Sequence, residues 1–210
     1  MSITGYSDRL NHALAFAAKH HDRLVRQGMR PPYPTLPGNV ALILTRYGRD
    51  EETVLTGILH DVLEGSVHER YVREMLVGRV REKFGDGVLD SIMAATVRVA
   101  DDAGDEMTAE ERRTDWVERM ASMDERARWV VAAARLHDAG SVLADLRRTS
   151  FPETVWSRHA TGRDGTIAGW RRVHDRLREV GFDAPIMDEL RTTVETLERY
   201  EAEATGPATR

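Results

Sequence analysis

The chain is predicted to fold as an all-α protein, on three observations. Apolar residues recur at helical spacing in most windows, no stretch alternates as a half-buried strand would, and the breaks carry glycine, proline or acidic capping residues. Asp8 to Val25 places Leu10, Leu14, Ala17 and Ala18 on one face, with Ser7 or Asp8 as N-cap. The run Pro31 to Pro37 holds four prolines and is expected to be an extended loop. Val40 to Tyr47 is a short apolar helix ended by Gly48. Asp50, Glu51 and Glu52 then put acids at the start of a helix that runs through His60 and Asp61 to Gly65.

Residues 68 to 84 form an amphipathic helix that stops at Phe84 and Gly85, and Val88 to Val99 is helical again. An acidic loop from Asp101 to Asp105 follows. Thr108 and Glu111 form a capping box for a helix reaching Met120. Ser122 or Asp124 opens a helix that passes His137 and Asp138 and ends near Arg147. Residues 149 to 165 are irregular, and 166 to 180 and 185 to 202 complete the pattern with two helices.

At 210 residues the chain can bury one sizeable core, so a single domain over 1–210 is expected. Its 41% hydrophobic and 31% charged residues fit a globular rather than a disordered chain. The apolar runs fall short of the ~18 residues of a membrane span. The start has no basic segment followed by an apolar one, so no membrane partner and a cytoplasmic location are expected. The absence of cysteine excludes disulfides, thiolate ligands and cysteine nucleophiles. A net charge of −5 argues against a surface for nucleic acid.

Chemistry concentrates in the His-Asp pairs. Eight histidines and seventeen aspartates would give about 0.6 such pairs by chance, yet there are four, and their surroundings separate them. His174-Asp175 lies among Arg171, Arg172, Arg176 and Arg178 and reads as a solvated helix face. His60-Asp61 and His137-Asp138 each close an apolar run, where an ionised carboxylate is costly unless compensated. Imidazole nitrogen beside carboxylate oxygen suits a divalent metal such as manganese, iron or zinc. Glu64, at i+4 from His60, stands where a base acting on water would stand.

Five stretches together resemble the HD-domain phosphohydrolases, in particular the hydrolase domain of the RelA/SpoT family and its small stand-alone alarmone hydrolases. They are Ala17-Ala18-Lys19-His20, Tyr33-Pro34-Thr35-Leu36-Pro37-Gly38-Asn39-Val40-Ala41, Ile58-Leu59-His60-Asp61-Val62-Leu63-Glu64-Gly65, Phe84-Gly85, and Leu136-His137-Asp138-Ala139. Their order and most spacings match the family from residue 10 to 147. The resemblance implies an HD-type helical bundle, with the motifs in a core of about 8–147 and further helices over 148–204. It also implies a manganese-like ion and hydrolysis of the 3′-pyrophosphate of guanosine tetra- or pentaphosphate. On this view His60, Asp61 and Asp138 are metal ligands and Glu64 helps to activate water.

The chain departs from that pattern where the first metal-binding histidine is replaced by Leu36, where Gly65 follows Glu64, and where Ala139 to Val142 stand for a nucleotide-contacting segment. His137 is the nearest substitute ligand, and His20 or His21 the next. Arg23 and Arg26 remain of the family's basic segment and are candidates for phosphate binding. Two functions are therefore expected to compete. One is a metal-dependent phosphohydrolase of a nucleotide or related phosphate ester. The other is a degenerate HD-fold protein, without metal, that binds a nucleotide or protein partner. A third reading makes both pairs structural, as core histidines with salt-bridged aspartates. Trp156, His159 and Trp170 either cover the pocket or form a homodimer surface.

Overall fold

Side-chain caps set the starts of four helices; at the first of them Ser7 Oγ accepts from the Leu10 N–H at 3.2 Å. Asp50 accepts from the Thr53 N–H at 2.7 Å and Asp124 from the Ala127 N–H at 2.7 Å. Thr108 and Glu111 exchange the two bonds of a capping box, as the sequence predicts. The computed structural model describes residues 7–21, 35–63 and 70–204. These form α1 (Asp8–His21), α2 (Thr35–Arg46), α3 (Glu51–Leu59), α4 (Arg70–Phe84) and α5 (Asp86–Ala95). They continue with α6 (Ala109–Arg119), α7 (Glu125–Arg148), α8 (Glu153–Trp156), α9 (Gly162–Glu179) and α10 (Pro185–Ala204). The fold is all-α; among the described residues the only β pairing is an isolated bridge between Ala100 and Glu106. No helix among them is long and apolar enough to cross a membrane.

The core is built around α7. Trp129 to Ala134 are all buried, so this stretch is apolar on every side, as a helix packed all round must be. α2, α3, α5, α9 and α10 pack against it. α3 is enclosed as completely, with Thr53 to Leu59 buried without a break.

Four boundaries differ from expectation. α2 begins at Thr35 and takes Leu36 and Pro37 into its first turn, where a missing N–H costs no helical bond. α3 ends at Leu59, so His60 to Leu63 form a turn, with the Val62 N–H donating to Leu59 O at 3.0 Å. α5 ends at Ala95 rather than Val99, because side chains of α6 take its last carbonyls: Trp116 Nε1 donates to Ala95 O at 2.7 Å and Arg119 to Ala94 O at 3.2 Å. The irregular stretch after α7 contains the short α8, and α9 starts at Gly162, four residues early.

Candidate active site

His60 is the first residue past α3, and its position does two things at once. A carbonyl oxygen can only accept, so Nδ1 carries the proton and donates to Gly57 O at 2.7 Å, capping the helix end. That tautomer leaves a lone pair on Nε2, the state in which imidazole binds metals. Nε2 faces Asp61 Oδ1 at 3.2 Å. Two acceptors held this close repel unless a proton or a cation lies between them. The C-terminal end of α3 adds a negative pole at the same place and favours a cation.

Asp138 reaches the same cavity from α7. Asp61 and Asp138 are each only 6% exposed, and with His60 they line a cavity of about 450 Å³. Arg135, one turn before Asp138, holds its Oδ2 at 3.3 Å. The same guanidinium lies 5.6 Å from the Trp116 ring. Trp116 is fixed in turn by its bond to Ala95 O and by Arg98 and Arg119, which both grip Asp115. The two arginines beside Asp115 hold its carboxyl below the usual carboxylate range. The far wall comes from α8–α9: His159, Gly165, Gly169, Trp170 and Val173 face the cavity.

His137 and His60 have similar sequence surroundings but different fates. α7 continues past His137, whose Nδ1 lies 3.4 Å from Ser141 Oγ, and the ring is not part of the cavity lining. Neighbours on a helix point about 100° apart, so Asp138 and His137 cannot both face the site. Leu36 is packed into the core at 2% exposure. Of the two histidines that end α1, His20 packs against Phe16 with tilted rings whose centroids are 4.5 Å apart. His21 is 1% exposed. Burial pushes its pKa down to about 4, against an opposing pull from the Asp61 carboxylate and with a further push from His60. His21 thus lies on the side of α1 that faces the His60-Asp61 pair. Glu64, Arg23 and Arg26 fall outside the described residues. His174 and Asp175 contact each other at 2.9 Å on the surface of α9, away from the cavity.

Among the described residues no group of three His, Asp or Glu side chains is arranged to hold a metal ion. The donor set nonetheless fits one by its chemistry: an imidazole nitrogen beside one buried carboxylate, with a second carboxylate in the same cavity. The α6 wall was not legible in the sequence, and Arg172, read there as part of a solvated helix face, is exposed and also lines the cavity, because cavity-facing and solvent-facing positions of an amphipathic helix look alike without its neighbours.

A helical bundle with a His-Asp pair at a helix end and a further aspartate on the central helix defines a class, and the family comparison agrees. A model of the HD domain matches residues 13–155, and the chain belongs to that family. A guanosine-3′,5′-bis(diphosphate) 3′-pyrophosphohydrolase of Aquifex aeolicus (strain VF5) is 30% identical over 91 residues, which is 43% of this chain. The match spans only 12% of that relative's length. The crystal structure of lmo0812 from Listeria monocytogenes EGD-e superposes with a TM-score of 0.60 at 28% identity, covering 79% of this chain and 95% of that one. A metazoan ortholog of SpoT that hydrolyses ppGpp shares the fold, with a TM-score of 0.68 at 23% identity over 92% and 98% of the two chains.

Proposed function

We propose that this protein is a metal-dependent HD-type phosphohydrolase of a nucleotide or related phosphate ester, with guanosine 3′,5′-bis(diphosphate) the first substrate to test. The observation that carries the reading is the His60-Asp61 pair, locked by the Gly57 carbonyl and sharing a cavity with Asp138. His60, Asp61 and Asp138 would hold the ion, manganese foremost, with iron and zinc as alternatives. A divalent ion there supplies positive charge that offsets the charge gathering on the phosphate and makes water a better nucleophile. His21, buried and within electrostatic reach of His60 and Asp61, would stand in for the histidine replaced by Leu36. Glu64 is assigned as the base from its place in the motif. Arg135 balances Asp138 and is positioned to pass from carboxylate to substrate phosphate. The pyrophosphohydrolase named among the relatives supports phosphate chemistry on a nucleotide.

A second reading has its own support. Leu36 offers no donor, and Asp138 already has a cationic partner in Arg135, the arrangement expected of a degenerate site that binds without hydrolysis. Metal analysis by inductively coupled plasma mass spectrometry, on protein purified without chelator, separates the two. The phosphohydrolase reading predicts about one equivalent of transition metal, lost in Asp138→Ala, and metal-dependent phosphate release. No metal in either protein after incubation with manganese would leave the binding module.

A further inference from the structure

The cavity has a rim whose chemistry differs from that of its floor. Its floor residues, Asp61 and Asp138, are buried acids. Its rim carries two exposed arginines, Arg113 on α6 and Arg172 on α9. Among the described residues most arginines are ion-paired, Arg135 in the same cavity among them. Neither Arg113 nor Arg172 makes an ion pair with any described residue. Two cations at the mouth of one cavity, without carboxylates of their own, are a site for an anion.

Gly169 supplies an independent observation. It lies inside the 18-residue α9, where glycine is the poorest helix former after proline. A Cβ there would meet no atom within 4 Å, so packing does not require glycine. By contrast, a Cβ on Gly165 would come within 2.7 Å of Thr161 Cβ. The position lines the cavity one turn before Arg172, and the absent side chain keeps that part of the wall open. Gly169 and Arg172 both lie beyond the 13–155 segment that matches the family.

We propose that the α6–α9 rim is a substrate-binding subsite, in which Arg113 and Arg172 hold a second anionic group of the substrate and Gly169 leaves room for the part that links it to the reacting phosphate. The substrate class is then an organic phosphate with anionic groups at two ends of an apolar or aromatic centre, which Trp116 and Trp170 wall in. The inference rests on the phosphohydrolase reading for the identity of the floor, and its test separates the two.

The test is calorimetric titration of the protein as purified with guanosine 3′,5′-bisphosphate and with guanosine 3′-monophosphate. The wild type binds the bisphosphate about tenfold or more tightly than the monophosphate. Arg113→Ala/Arg172→Ala removes that preference and leaves affinity for the monophosphate within about twofold. Gly169→Leu keeps the melting temperature at or above that of the wild type and weakens both ligands. Equal binding of the two ligands by the wild type, a preference that survives in the double variant, or full affinity in Gly169→Leu overturns the subsite and leaves the phosphohydrolase reading standing. Binding of neither ligand overturns the subsite and counts against that reading too. A preference lost in the double variant of a protein without metal or turnover supports the subsite and assigns it to a binding module.

Discussion

His21 shows how a single buried group ties stability to pH. Its pKa is pushed down to about 4 by burial, against an ordinary value of 6.5. Between these values the unfolded chain takes up a proton that the folded chain refuses, so the unfolded state gains as pH falls. The stability is fully present above pH 6.5, declines through this window and levels off below about 4. The loss amounts to about 3 kcal/mol. Urea unfolding of chelator-treated protein from pH 7 to pH 4 should show it, and His21→Gln should have a shallower slope over the same range. Equal slopes would assign the effect to the carboxylates instead. His60, Asp61 and Asp138 were legible in the sequence because an acid inside an apolar run is unusual. His137 had the same surroundings, and only the position of the helix end separates it from His60. Which of His20 and His21 turns inward was not legible at all, since adjacent residues at a helix terminus differ only in which neighbour they meet.

At the scale of elements, the pairing of α2 with α3 positions the His60 ring. Gly57 is a point of close approach: a Cβ would stand 2.4 Å from Leu44 Cδ1 and 3.1 Å from Val40 Cγ1. Both neighbours are fully buried and have little room to move. Gly57→Ala should therefore cost about 1–3 kcal/mol in chemical denaturation. It should also weaken metal retention, because the displaced backbone carries the carbonyl that orients His60. A variant with wild-type stability and metal content would show that α2 and α3 are less tightly locked. The caps of α3, α6 and α7 were readable from Asp50, Thr108 and Asp124, since capping is local chemistry. The end of α5 was not, because α6 supplies the groups that take its carbonyls.

Across the whole molecule, α10 closes the bundle by packing on α7. Ile186, Met187, Leu190 and Leu197 are fully buried, and Glu189 accepts hydrogen bonds from both Arg46, the last residue of α2, and Tyr47, which follows it. The adjacent arginine and hydrogen bonds keep the Glu189 carboxyl below its ordinary range despite its partial burial. Leu190→Ala should cost about 2–5 kcal/mol. If α10 belongs to the same cooperative unit as the motif-bearing helices, tryptophan fluorescence and far-ultraviolet circular dichroism will report one coincident transition in this variant as in the wild type. Separate transitions would make the last helices an independent unit.

The sequence by itself determined the helical class, most helix starts and the buried acids at the floor of the cavity, because periodicity, capping and a charged residue in an apolar run are all properties of neighbours along the chain. Only the tertiary structure decided that His60 lies beyond the end of α3, that Arg135 pairs with Asp138, and that α6 and α9 bring Arg113, Gly169 and Arg172 to one rim. These depend on contacts between residues far apart in the chain. Packing geometry sets such contacts, and one-dimensional patterns do not record it.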